Sequence, residues 1–287
     1  MNRTTDGWGS GLLGVIIFSG SLPATRVAVG DFSPLFLTSA RAVIAAVLGA
    51  ALLVVLRQVK PHRSDVGSLV VVGLGVVVGF PLLTALALQH ITSARSIVFI
   101  GLLPLATAIF GVLRGGERPK SMFWLFSGLG SATVAGFALF NSNAGSLTGD
   151  LLMLAAIVLC GLGYAEGALL SRRLGGWQVI SWALLLALPM MGAVALITLP
   201  QSWTAIGGPA WLALTYVSVF SMLVGFVFWY RGLALGGIAG VGQLQLLQPF
   251  FGLALAGLLL HEPVHWTMIA ATGLIVLWVA GARQFAN

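Results

Sequence analysis

Long apolar runs separated by short polar breaks set the rhythm of this chain from residue 8 onward. Each run is about 20 residues, the length of helix that crosses roughly 30 Å of hydrocarbon. They fall at 8–29, 35–57, 67–88, 94–114, 121–140, 150–171, 178–199, 210–230, 238–260 and 266–284, which predicts ten transmembrane helices. The breaks "GDFSP" (30–34), "NSNAGSLTGD" (141–150) and "PQSWTAIGGP" (200–209) are turn-forming clusters. Within a bilayer the backbone must satisfy its own hydrogen bonds, so apolar runs of this length are read as helices.

Composition removes the soluble alternative: 59% of residues are hydrophobic, 7% are charged and the mean hydropathy is +1.04. The fold class expected is therefore all-α and integral to a membrane. The net charge of +7 would suggest nucleic acid in a soluble protein. Here the basic residues sort by loop instead, and no nucleic-acid partner is expected. Eleven of the fourteen Lys and Arg lie at the termini and in every second connection: Arg3; Arg57, Lys60, Arg63; Arg114, Arg118, Lys120; Arg172, Arg173; Arg231; Arg283. The intervening loops have none, so the positive-inside rule predicts both termini in the cytoplasm of a multi-pass protein in the bacterial inner (plasma) membrane. Arg3 alone makes a weak signal-peptide start, and the first run is read as a membrane helix. The single cysteine, Cys160, excludes an internal disulfide and a cysteine metal site.

An internal repeat is visible at one ungapped offset of 145 between residues 91–119 and 236–264. Ala94 meets Ala239, Leu102 meets Leu247, Pro104 meets Pro249, Leu113 meets Leu258 and Glu117 meets Glu262. The Pro and Glu pairings carry the weight, because apolar matches arise easily in such a composition. Five helices per copy is an odd number, so two copies must point in opposite directions. The loop "RGGERPK" after the first copy is basic and its counterpart "HEPVH" holds no Lys or Arg, as inversion requires. The expected domains are thus residues 1–145 and 146–287, two inverted five-helix repeats around a central cavity, the logic of secondary transporters.

These residues carry a resemblance. The ten spans, the stretch "TSARAVIAAVLGAALL" around Arg41, the two P-x12-E copies and the segment "GDLLMLAAIVLCGLGYAEGALLSRRLG" (149–175) resemble EamA-type members of the drug/metabolite transporter superfamily. Within it the chain looks closest to bacterial aromatic amino acid exporters. The resemblance implies a cavity lined by the third, fourth, sixth, eighth and ninth helices.

The stretch "GQLQLLQP" (242–249) places amides in an apolar run. Pro249 has no N–H, so the carbonyl of residue 245 is expected to lose its helical partner and the helix to kink; Pro104 acts likewise on Ile100. An unsatisfied carbonyl in hydrocarbon is costly, which points these positions at a cavity. Pro104, Pro249 and Gly242 are the expected hinge or gating positions. At 100° per residue Gln245 and Gln248 share a face and Gln243 points away. Gln245 is the favoured substrate contact, with Gln243 second; interhelical hydrogen bonding is the alternative for either. The first-repeat counterparts Val98, Ile100 and Leu103 are apolar, which predicts one polar and one greasy wall. Phe99, Phe80, Thr84 and Tyr164 complete the candidate substrate lining, each aromatic having simple packing as its alternative.

Other signals carry less. His261, Glu262 and His265 spell H-E-x-x-H, but Pro263 interrupts the helix that a zinc site needs, so no metal and no cofactor are expected. Arg26, Arg41, Arg95 and Glu166 are embedded ionisable groups. Arg41 either receives a substrate carboxylate or bonds helix-end carbonyls; Glu166 either carries a coupling proton or pairs locally with Arg172 or Arg173. Trp8, Trp124, Trp177, Trp211, Trp229 and Trp266 fall at span ends as an interfacial belt. Gly75 with Gly79, Gly232 with Gly236 and Gly236 with Gly240 have the spacing of close helix contact or of hinges.

The function expected is secondary transport, the export of small amphipathic metabolites, most of all aromatic amino acids, by alternating access. The alternative is a broad-specificity drug/metabolite exporter. A membrane-embedded enzyme is the rival from another class, and no enzyme is expected because acids, bases and nucleophiles are scattered singly. The partners expected are a small-molecule substrate and the lipid bilayer, with no obligate protein partner evident.

Overall fold

The computed structural model describes residues 3–91, 96, 99–140, 146–260 and 266–286. Those residues are mostly helical, with no strand among them, and group into ten helical segments. α1 spans Arg3–Ser19 and Ser21–Asp31, α2 Pro34–Val55, α3 Arg63–Ala87, and α4 begins its described regular part at Leu103–Gly115. α5 is Ser121–Phe140, α6 Leu147–Leu174, α7 Gly176–Ile197 and α8 Gly208–Gly236. α9 runs through Ile238–Gly242, Gln243–Leu247 and Gln248–Leu260, and α10 is Trp266–Gln284. Six of these, α1, α2, α3, α6, α7 and α8, are long and apolar enough to cross a membrane by length and composition.

Local chemistry sets the ends. Ser33 caps α2 by accepting from Phe36 N at 3.2 Å, and Pro34 occupies the first turn, where its missing N–H costs nothing. α4 stops at Gly116 in the left-handed region (φ 64°), which glycine enters without strain. α8 runs farther than the pattern of the sequence predicts, to Gly236 rather than 230. Trp229 consequently sits inside the helix and is fully buried, not in an interfacial belt.

Polarity is arranged outside-in. Leu147, Leu151, Leu154 and Val158 form an exposed stripe along α6, and Val54, Val55, Leu74, Leu196, Leu212 and Leu277 are likewise exposed, as a lipid-facing surface requires. Ser39, Arg41, Asp65, Ser127, Glu166, Gln243 and Gln245 are buried. Helix contacts pair as follows: α1 packs on α8 and α3 on α6, α2 on α7 and α5 on α10, while α4 packs on both α6 and α9 and α9 also on α1. Exchanging each helix with the one five places along reproduces this set. Glycines make the tightest pairs possible: a Cβ on Gly232 would stand 2.7 Å from Gly11 Cα, and one on Gly75 would stand 2.6 Å from Leu159 O. At these positions glycine is a packing residue.

Candidate functional site

Four of the helices break regularity where they converge. In α3 the stretch Gly73–Gly79, and in α8 the stretch Tyr216–Val224, widen into π-helix, a rare geometry frequently found at functional sites. In α4 a turn at Gly101 and Leu102 precedes the helix that carries Pro104 in its first turn. In α9 the α-helix tightens to 3₁₀ over Gln243–Leu247 immediately before Pro249. The breaks in α3 and α8, and those in α4 and α9, fall at corresponding places in the two halves of the chain.

Between these breaks lies a small cavity of about 40 Å³, room for a few water molecules as the helices stand. α1 contributes Phe18, Ser21, Leu22 and Thr25, and α2 contributes Arg41. α3 contributes Val76, Phe80, Pro81 and Thr84; α4 Leu103; α6 Tyr164; α8 Ser221 and Phe226; α9 Gln248. At about 1.5 Å of rise per residue, Arg41 lies about 10 Å in from the start of α2, and Tyr164 about 15 Å from the end of α6. The chamber is therefore deep within the helices. At the repeat offset, Val76 corresponds to Ser221 and Leu103 to Gln248, and all four line it. In both pairs the polar member comes from the second half.

Of the expected substrate contacts, Phe80, Thr84 and Tyr164 line this cavity. Phe99 is half-buried against the main core and is not part of the lining. The glutamines divide. Gln248 reaches the cavity. Gln243 is buried and donates through Nε2 to Ser127 Oγ at 3.0 Å, an interhelical bond from α9 to α5. Gln245 is fully buried against Tyr164, and neither end of its carboxamide has a hydrogen-bond partner. A 3₁₀ helix repeats every three residues, so Gln245 lies one turn below Gln248 on the same face. Tyr164, which lines the cavity, neighbours Gln245, which does not.

One expected feature is absent. The carbonyl of Gln245 is not left free by Pro249: Gln248 N donates to it across the 3₁₀ turn. The chain answers the proline by tightening ahead of it, which spares the carbonyl. Gly242, at the junction of α-helix and 3₁₀ helix, is buried, and a Cβ there would meet only Thr107 at an ordinary 3.5 Å.

The embedded charges divide between the cavity and one end of the molecule. Glu166 does not pair with Arg172 or Arg173. It binds Arg114 Nε of α4 at 3.0 Å and accepts from Ser68 Oγ of α3. Arg173 donates to the buried Asp65 at 2.6 Å, and Arg172 to Glu117 at 3.3 Å. Sequence spacing along α6 misled here because neighbouring helices bring acceptors closer than one helix face can. Glu117 does more: its two oxygens accept from Ile238 N and Ala239 N, each at 2.7 Å, capping the start of α9. Glu117, Glu166 and Asp65 with their arginines thus tie α3, α4, α6 and α9 together at the end bearing the basic loops. Arg26 donates to Leu88 O at 2.8 Å. Arg41 is buried at the cavity and donates to Ser221 Oγ at 3.2 Å, bonding no helix-end carbonyl.

Arg95 and the segment His261, Glu262 and His265 lie outside the described residues. Among the described residues no group of three or more His, Cys, Asp or Glu side chains is placed to hold a metal ion. Cys160 is a buried free thiol beside Tyr164.

A many-helix protein with an apolar exterior, an internal chamber of mixed polarity and paired helix breaks is a multi-pass membrane transporter in outline. The EamA-like transporter family matches the chain twice, over residues 7–139 and 147–282, and the chain belongs to that family. An uncharacterized transporter of Bacillus subtilis (strain 168), YdeK, is 66% identical over 287 residues, the whole of both chains. A second uncharacterized transporter of that organism, YyaM, is 24% identical over 231 residues, covering 77% of this chain and 76% of its own. A solved crystal structure at 20% identity matches with a TM-score of 0.81 over 98% of this chain and 99% of its own, a likeness of fold alone.

Proposed function

We propose that this transporter is an exporter of small amphipathic metabolites, aromatic amino acids foremost, working by alternating access across the bacterial plasma membrane. In this reading all ten helices span, residues 1–145 and 146–287 are inverted repeats, and both termini are cytoplasmic. The observation that carries it is the cavity itself. It is buried, aromatic on several sides, greasy where the first half contributes Val76 and Leu103, and polar where the second contributes Ser221 and Gln248. An amino acid with a large apolar side chain has that same division.

The mechanism follows from which parts are rigid and which are broken. The glycine-packed pairs α1–α8 and α3–α6 have little freedom to slide, since their backbones touch. The breaks ahead of Pro104 and Pro249 lie in α4 and α9, and bending there moves one end of each helix without disturbing the other. Closing the cytoplasmic end is the task of Glu117, which holds the start of α9 while Arg172 holds Glu117. Releasing that carboxylate frees α9 and opens a path past Tyr164 and Gln245 to the chamber. Unbonded polar atoms on Gln245 then offer successive contacts along the path.

A second reading, broad drug and metabolite export, draws on the predominance of apolar side chains in the lining. Counterflow separates the two. Purified protein in liposomes preloaded with unlabelled tryptophan is expected to accumulate labelled tryptophan, with phenylalanine and leucine competing. No accumulation of tryptophan, together with exchange of a lipophilic cation, would replace the first reading with the second.

A further inference from the structure

The cavity contains one charged side chain, Arg41, and its charge is unanswered. Arg41 is 6% exposed, makes a single hydrogen bond to Ser221 Oγ, and its Nε has no partner. A guanidinium keeps its proton and offers five N–H donors in a fork that fits a carboxylate. Among the described residues no carboxylate pairs with it. Asp65, Glu117 and Glu166 are engaged with Arg173, Arg172 and Arg114 at the other end of the helices. A lone buried cation is costly to fold around, and such a charge persists where a ligand supplies the opposite sign.

The neighbouring hydroxyls are oriented for the same task. Ser221 Oγ accepts from Arg41 at 3.2 Å and from Ser21 Oγ at 2.6 Å. Both of its lone pairs are thereby used, and its own hydrogen is left to donate. Thr84 Oγ1, buried and also on the cavity, has no partner. The chamber thus offers guanidinium N–H groups and two hydroxyl hydrogens to whatever enters, and none of its lining residues is an acid that would hold a cation.

We infer that Arg41, Ser221 and Thr84 form an anion subsite that takes the carboxylate of the transported molecule, with Ser21 positioning Ser221. Phe80, Phe226 and Tyr164 receive the apolar remainder. This rests on the cavity being the substrate chamber. It adds that substrates must carry a carboxylate and that a cationic amine without one is rejected.

The test uses purified full-length protein and measures thermal stabilisation by indole-3-propionate, which has the carboxylate and no ammonium, and by tryptamine, which has the reverse. Indole-3-propionate and tryptophan are expected to stabilise the wild type, and tryptamine and indole-3-propionamide to do so at least about tenfold more weakly, the margin of a hydrogen-bonded charge. Arg41→Gln is expected to abolish the distinction and Arg41→Lys to restore part of it, with monodisperse elution as the check on folding. Equal stabilisation of the wild type by acid and amide, stabilisation by tryptamine alone, or no stabilisation by any carboxylate would overturn the inference. The wild-type comparisons decide it even if the arginine variants fail to fold. Tryptophan counterflow that persists while the carboxylate proves dispensable would sink the subsite and leave the carrier standing; absence of all counterflow would sink the carrier.

Discussion

Replacing Glu117 by alanine tests how the two halves are held at their basic end. The carboxylate accepts two backbone bonds of 2.7 Å from Ile238 and Ala239, and its side chain is 15% exposed. Each donor left unsatisfied costs about 1–3 kcal/mol, with the lower figures appropriate where water can enter. Two donors near an accessible end therefore give about 2–3 kcal/mol, equivalent to about a 30- to 150-fold rise in opening of the first turn of α9. The Arg172 contact adds little, because that side chain is 42% exposed and solvent screens it. Amide hydrogen exchange in nanodiscs reads the effect directly over residues 238–242. Glu117→Ala should accelerate exchange there by that factor, and Glu117→Gln, which keeps one acceptor oxygen, by less. Exchange unchanged in the alanine variant would mean that the carboxylate is not what holds α9, and the proposed latch would fall.

Three further outcomes follow from the packing and the cavity. Gly232→Ala places a Cβ 2.7 Å from Gly11 Cα and should lower thermal stability in detergent by about 1–3 kcal/mol, whereas Gly128→Ala, where a Cβ meets nothing within 4 Å, should be silent. Gln248→Leu copies its repeat counterpart Leu103; the fold should persist while the concentration for half-maximal tryptophan exchange rises at least about fivefold, a lost polar contact of about 1 kcal/mol. The double variant Pro104→Ala, Pro249→Ala, verified as folded, should exchange substrate more slowly than the parent if the breaks in α4 and α9 are working hinges; the parental rate would remove them from the mechanism.

The helical class, the membrane setting and the family resemblance were legible in the sequence because each follows from composition, run length or motif. Runs of apolar residues also placed most of the described helical segments to within about five residues, the start of α4 lying largely outside the described residues. The end of α8 escaped because Arg231 looks like a loop residue, and only packing on α1 through Gly232 and Gly236 explains why the helix continues. Phe80, Thr84, Tyr164 and Arg41 could be nominated as polar or aromatic exceptions in greasy runs. Phe18, Ser21, Ser221 and Phe226 could not, since a serine or phenylalanine in such a run carries no signal by itself. The π stretches that present Val76 and Ser221 have no sequence mark either, being set by how α3 and α8 pack. Among the glutamines, the shared face of 245 and 248 was correct geometry. What periodicity could not supply was depth, which puts Gln248 on the chamber and Gln245 off it, beside Tyr164. Glu117 stood out as a repeat residue, and its role as a cap on α9 appears only when α4 and α9 are brought together.

Sided thiol accessibility tests alternating access through this cavity most directly. In a Cys160→Ala background, Thr84→Cys places a single thiol on the chamber and Gln245→Cys one off it beside Tyr164, and a membrane-impermeant thiol reagent is applied from one face of the vesicle at a time, with and without tryptophan. Alternating access predicts that the residue 84 thiol reacts from the face opposite the basic loops and the residue 245 thiol from the basic face, with tryptophan changing the two rates in opposite directions. Both thiols reacting from one face in the same state, or neither rate responding to substrate, would contradict a carrier that opens to each side in turn.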